Sequence, residues 1–195
     1  MIIEAFFPKA YLNSYSSFYF EYFNRKLSQI DSGSKLKRIE ILVLYGENAD
    51  NIKYVDGDNI VLNIYSCQIV LELEQMIKSF SSILKKALTL VKTHDSSFNE
   101  QKILDLLYEF KLNNYKNEWE LDKLSYEGEP LRLEAQLDQN EFRLVFTSPD
   151  RFYTVKKEHP SFLIYNELLT SKISVKNNEV YIKNKNKTLY KATLK

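Results

Sequence analysis

Carboxylates dominate the side chains of this sequence whose types and spacing could do chemistry. Residues 118–141 hold eight acids (Glu118, Glu120, Asp122, Glu127, Glu129, Glu134, Asp138 and Glu141) against Lys123 and Arg132, a net charge of −6. Residues 142–195 hold eleven bases against four acids, a net of +7. Glu118, Glu120 and Asp122 alternate as on one face of a strand, with Trp119 and Leu121 on the other. Crowded carboxylates repel one another and attract cations. Such a face either packs beside the basic C-terminal segment or docks a basic partner. In the second case long-range attraction speeds encounter and desolvated ion pairs add specificity. Glu118, Glu120, Asp122, Glu127 and Glu129 are therefore the expected partner-binding residues.

Catalytic constellations are missing by the same kind of reading. Cys67 is the single cysteine, and it reads as a small buried hydrophobe. A nucleophilic thiol needs a base, and His94 and His159 are both distant in sequence. Gly33, Gly46, Gly57 and Gly128 stand alone, whereas a phosphate loop needs closely spaced glycines. Asp56-Gly57-Asp58-Asn59 begins like a calcium loop but lacks the closing glutamate, so it reads as a hairpin turn. Pro149-Asp150 would suit a metal-dependent nuclease only with a later carboxylate followed by Lys at the second position. Glu158, Glu167 and Glu179 are followed there by Pro160, Leu169 and Tyr181. The two histidines make no zinc pattern. Ser66 and Ser81 lack the nucleophile-elbow glycines. The expectation is a protein that is not an enzyme and holds no metal or cofactor; the alternative is an enzyme with no recognisable motif, its site assembled from scattered residues.

A basic alternative lies near the end. Lys183, Lys185 and Lys187 interleave with Asn184 and Asn186 close to Tyr181 and Tyr190. Lysines with aromatics can hold a nucleic-acid strand by phosphate attraction and stacking. The same run reads more simply as the solvated tip of a last hairpin, and a whole-chain net charge of +1 does not favour nucleic acid.

The elements that must position these groups follow from periodicity. Residues 2–7 read as a strand stopped by Pro8. Tyr15, Phe18, Tyr19, Tyr22, Phe23, Leu27 and Ile30 make one apolar stripe of a helix at about 12–30. Ile39 to Tyr45 is a continuous apolar run, as in a central strand. Residues 52–55 and 60–65 flank a turn. Ile69, Leu73, Met76, Ile77, Phe80, Leu84, Ala87, Leu88 and Val91 predict a helix over about 67–92. Ser97 to Glu100 reads as a capping box for another helix, running to Asn113-Asn114.

From about 117 the period changes to two. Leu133, Ala135 and Leu137 should pair with Phe146, Leu144 and Phe142, around a tip at Gln139-Asn140. Asp138 then opposes Glu141, a like-charge contact. A strand at 151–156 follows, then a helix over 160–171 begun by Pro160 and burying Phe162, Tyr165, Leu168 and Leu169. A hairpin turns on Asn177-Asn178, with Ile173 and Val175 facing Ile182 and Val180. Thr188 to Leu194 is the last strand. The fold class is α+β: N-terminal strands and three helices, followed by a C-terminal antiparallel sheet carrying one helix. Residues 1–195 read as one domain with two lobes, 1–115 and 116–195.

Composition agrees with a packed body. Of 195 residues 44% are hydrophobic and 27% charged, with only four Gly and four Pro. A chain of this length buries roughly 70% of its unfolded surface without disulfides. No signal peptide or membrane span is legible, and a lone thiol suits a reducing compartment, so the expected location is the cytoplasm. In size, α+β pattern, composition and want of catalytic motifs the chain resembles bacterial immunity proteins, small cytoplasmic partners that neutralise polymorphic toxins. The resemblance implies a protein-binding module occluding a basic toxin domain.

Overall fold

Residues 1–29, 32–67, 73–138, 140–158, 168 and 170–194 are described, in a computed structural model of mixed α+β class. They divide into two compact units, Met1–Tyr115 and Lys116–Lys195, where the hydrophobic period changes from helical to alternating.

In the first unit the order is β1 (Ile2–Phe6), α1 (Ala10–Leu27), β2 (Arg38–Tyr45), β3 (Asn51–Asp56), β4 (Asn59–Ser66), α2 (Leu73–His94) and α3 (Glu100–Leu112). The sheet runs β1-β2-β4-β3, with β2 parallel to both neighbours and β3 antiparallel at the edge. Ile39, Ile41 and Val43 of β2 join Ile3, Ile60, Leu62 and Ile64 in one cluster with the buried faces of all three helices. Tyr19, Tyr22, Phe23 and Leu27 of the α1 stripe belong to this core, with Tyr15 packed against it. Tyr22 stacks on Phe110 of α3 at 4.0 Å between ring centroids, and Tyr19 meets Phe80 of α2 at 5.5 Å. Each such ring stabilises the fold by roughly 1.5–3 kcal/mol through burial.

Polar residues of α1 complete the exposed edge of β1. Asn24 Oδ1 accepts the Ile3 N–H at 2.7 Å, Ser16 donates to the Ala5 carbonyl at 3.2 Å, and Asn13 bonds both the N–H and carbonyl of Phe7. An edge strand left with these groups open would template association.

The cap of α3 differs from the expected capping box. Asn99 is the N-cap, accepting from the Lys102 N–H, while Ser97 bonds Asp95 instead. Asp95 organises the preceding turn, because Ser34 and Ser97 both donate to its carboxylate at 2.5 Å. These bonds hold the Asp95 carboxyl below its ordinary range. Gly33 lies against this turn at φ +71, where an added Cβ would stand 2.8 Å from the Ser97 carbonyl oxygen.

The second unit is built from β5 (Asn117–Tyr126), β6 (Glu129–Leu137), β7 (Phe142–Ser148), β8 (Arg151–Glu158), β9 (Lys172–Lys176), β10 (Glu179–Asn184) and β11 (Lys187–Thr193). The expected single C-terminal sheet is in fact two antiparallel sheets, β5-β6-β7-β8 and β11-β10-β9. One seven-stranded sheet would leave a wide apolar face open. Two sheets cover each other, burying Leu133, Ala135, Leu144 and Phe146 of one and Val180 and Ile182 of the other. Tyr190 of β11 meets Phe146 and Tyr153 at 6.2 and 5.9 Å.

The expected hairpin registers hold. Leu133, Ala135 and Leu137 pair with Phe146, Leu144 and Phe142, and Val175 and Ile173 with Val180 and Ile182. Asn177 and Asn178 both take positive φ, as a two-residue primed turn requires. The like-charge contact of Asp138 and Glu141 is relieved by Arg143, at 3.8 and 3.2 Å from the two carboxylates. The helix expected at 160–171 falls outside the described residues apart from Leu168, Thr170 and Ser171; Leu168 and Ser171 are buried, and the Ser171 N–H donates to the Leu168 carbonyl at 3.0 Å. Ile30, Ile69, Gln139 and His159 also lie outside them. Among the described residues no helix is long and apolar enough to cross a membrane.

Candidate functional site: an acidic interface

The five acids singled out by spacing lie on or beside the β5–β6 ribbon. Two-residue pairing assigns each to a face. Glu118 opposes Gln136 and Glu120 opposes Glu134, whereas Trp119 opposes Ala135 of the buried face. A β-bulge between Glu120 and Asp122 then shifts the register by one. Asp122 consequently opposes Leu133, and Leu124 opposes Leu131, both on the inward side. The expectation that Glu118, Glu120 and Asp122 share a face is thus corrected. A bulge makes two residues oppose one, and every residue beyond it changes side.

The apolar pattern carried that signal. Trp119 and Leu121 are odd-numbered, whereas Leu124 and Tyr126 are even, so the phase slips at the bulge. Without the slip Lys123 would point inward and Leu124 outward. With it, Lys123 opposes Arg132 on the outward face.

Asp122 does a structural job inside the unit. Its Oδ2 accepts the Ile173 N–H at 2.8 Å and its Oδ1 lies 3.7 Å from Lys172 Nζ, tying β5 to the start of β9. Asp138 and Glu141 are likewise held by Arg143, and Glu141 also pairs with Lys157 at 2.5 Å. Part of the negative segment is therefore neutralised by basic residues of the same unit.

Glu118, Glu120, Glu127 and Glu129 are exposed. Glu120 lies 3.8 Å from Arg132, an exposed pair worth less than about 1 kcal/mol. Glu127 and Gly128 form the β5–β6 turn with φ of 52° and 87°, the primed geometry that suits the strand twist. Tyr126 beside them donates to Asn178 Oδ1 at 2.5 Å, which anchors this turn to the β9–β10 turn. Its phenol is raised above the ordinary value, chiefly by desolvation.

Two residues join the outward face that spacing alone had not assigned. Glu134 stands directly opposite Glu120, and such partners have Cβ atoms about 5 Å apart. Phe152 opposes Thr147 and Thr147 opposes Arg132, so Phe152 points to the same side, 61% exposed. It stands three strands from β5, roughly 14 Å at ~4.8 Å per strand. Val145, between Glu134 and Thr154, is buried on this side.

The other candidate residues are placed as follows. Cys67 is exposed, with Sγ 3.6 Å from the Gly46 carbonyl, and is not the buried hydrophobe expected. It directly follows the last residue of β4, where the chain leaves the sheet. His94 ends α2, whose 22 residues span about 33 Å at 1.5 Å each, while Cys67 lies before that helix begins. Asp58 of the Asp56–Asn59 turn is paired with Lys37 at 2.8 Å, which lowers its carboxyl from the ordinary range. Among the described residues no group of His, Cys, Asp and Glu could hold a metal ion.

Lys183, Lys185 and Lys187 do surround the last hairpin turn, with Lys185 at φ 50°. The tyrosines near them are already engaged. Tyr181 donates to Glu179 and carries Lys183 and Lys191 over its ring at 5.0 and 5.4 Å, and Tyr190 packs on Phe146 and Tyr153. Both rings are half-buried and already packed against other side chains.

A scan against protein-family models, a search of curated proteins and a search of solved structures each found no match to this chain.

Proposed function

We propose that the chain is a protein-binding module, an immunity-type inhibitor that neutralises a cognate toxin by steric and electrostatic occlusion. The observation carrying this reading is the outward face of the β5–β8 sheet, where exposed Glu118 and Glu120 share a side with Glu134 and the exposed ring of Phe152. Interfaces draw most of their energy from a few aromatic or charged anchors, with charges guiding approach. Glu127 and Glu129 extend the acidic rim at the end of the ribbon. Asp122 is left out of the contact set because its carboxylate is committed to β9.

The test is co-expression with a basic toxin domain from the same genome, in cells that the toxin kills. The wild-type chain should restore growth and form a stable complex. Glu118→Lys with Glu120→Lys should slow association by roughly tenfold at low salt and flatten its salt dependence. Phe152→Ala should instead speed dissociation. A wild-type chain that neither binds nor protects, or a double reversal that binds as tightly as wild type, would sink this assignment.

A further inference from the structure

A groove of about 820 Å³ runs between α2 and α3 in the first unit. That lies within the size range of small-molecule sites, about 300–1,000 Å³. Its walls are helical stripes. Lys78 and Lys85, two turns apart, face it from α2, and Tyr108 and Lys111, one turn apart, face it from α3. Among the described residues no arginine lines it, and the one lining carboxylate is Glu100.

The charge is segregated along the groove. α2 and α3 are joined by only residues 95–99, and a connection that short makes antiparallel neighbours. Glu100 opens α3 and sits at the joined end. Lys111 lies about 16 Å further along at ~1.5 Å per residue, and Lys85 about 14 Å back along α2. Lys85 and Lys111 therefore stand at similar height along the helix pair, away from Glu100, with Tyr108 one turn from Lys111. Tyr108 is 65% exposed, so its ring is available to a ligand.

The open end is shaped by how α3 stops. Tyr115 N–H donates to the Phe110 carbonyl at 2.8 Å and Asn114 N–H to the Lys111 carbonyl at 3.0 Å, with Asn114 at φ 52°. This is the Schellman pattern, and its usual apolar contact is the Tyr115 ring set edge-on to Phe110 at 5.3 Å. Tyr115 itself holds φ 56°, a region bulky residues rarely adopt. The stop thereby fixes a second tyrosine on the groove wall.

We infer that this groove binds a nucleotide, with its phosphate on Lys85 and Lys111 and its base against Tyr108. Lysine is a compact point charge suited to phosphate, whereas paired carboxylates favour the planar fork of arginine, which is missing here. An exposed tyrosine beside the cations supplies the stacking surface that a bare anion would not need. The nucleotide could come free or as a residue of a single strand, and the chemistry recognised is the same. All its lining residues belong to the first unit, whereas the acidic face belongs to the second.

Calorimetric titration of the full chain at low salt tests this, using a nucleoside triphosphate, tripolyphosphate, adenosine and a short single-stranded oligonucleotide. The triphosphate should bind one to one. Lys85→Glu with Lys111→Glu should weaken it by on the order of tenfold or more. Tyr108→Ala should weaken the nucleotide roughly tenfold while leaving tripolyphosphate unchanged. All three side chains are exposed, and unchanged helical circular dichroism verifies folding. The milder Lys85→Gln with Lys111→Gln serves if the reversals unfold the chain. An oligonucleotide binding far tighter than the mononucleotide identifies a strand, and equal binding identifies the free nucleotide. Wild-type protein that binds neither nucleotide form, or variants that bind both as wild type does, overturn the inference. Toxin binding by the same lysine variants should be unaltered, which separates this site from the acidic interface.

Discussion

Replacing Asp122 by Ala separates a structural carboxylate from its interfacial neighbours. The substitution removes the acceptor for the Ile173 N–H, a 2.8 Å bond to a residue only 8% exposed. A hydrogen bond to a charged group stabilises by about 1.5–3 kcal/mol, and a buried donor left without a partner costs a similar amount. The accompanying contact to Lys172 adds little, because that lysine is 67% exposed and the separation is 3.7 Å. The expected loss is therefore about 2–3 kcal/mol. Trp119 is the only tryptophan of the chain and lies on the same strand, so its fluorescence reports unfolding of this unit. With a urea slope of about 2 kcal/mol/M, the midpoint should fall by roughly 1 M. Asp122→Asn keeps an acceptor oxygen and should lose about half as much. Glu118→Ala and Glu120→Ala, at exposed positions, should stay within about 0.5 kcal/mol of wild type. Equal midpoints for the Asp122, Glu118 and Glu120 variants would refute the bulge-based assignment, as would unfolding caused by either glutamate substitution.

The first unit offers two further tests. Gly33→Ala should destabilise it by about 1–3 kcal/mol, since the new Cβ meets the Ser97 carbonyl at 2.8 Å on a backbone that disfavours L side chains. Urea unfolding followed by helical circular dichroism would show it, and an unchanged midpoint would refute the close packing of that turn. Asp95, whose folded carboxyl is lowered from 3.8 first by its Ser34 bond and then by Ser97, stabilises the fold above its unfolded value. That contribution fades as pH falls through the lower folded value. The gap in urea midpoint between wild type and Asp95→Asn should accordingly shrink below about pH 4, and a gap constant with pH would contradict it.

Local pattern determined much of this architecture. The two hairpin registers, around residues 138–141 and at Asn177-Asn178, were legible because a period of two with one buried face leaves little freedom to slip. The apolar stripes of α1, α2 and α3 marked their buried sides by helical period alone. The boundary near 115 followed from the change between those periods. The approximate ends of α1 and the N-cap of α3 were less legible. Ser97, Asn99 and Asp95 can each accept from a nearby N–H, and the contact of Gly33 with Ser97 depends on a segment some sixty residues earlier in the chain.

For the candidate interface, the sequence by itself determined which carboxylates exist and that they cluster on one ribbon. Tertiary structure decided which of them face solvent. The register slip within β5 turned Asp122 inward to cap β9, while pairing across β6 brought Glu134 beside Glu120 and Phe152 onto the same side. The exposure of Cys67, the division of the C-terminal strands into two facing sheets and the lysine-lined groove between α2 and α3 were also decided there. The physical reason is common to all of these. Side-chain direction repeats with the local backbone period, but burial and neighbourhood depend on which distant segment arrives to cover, pair with or leave open each face.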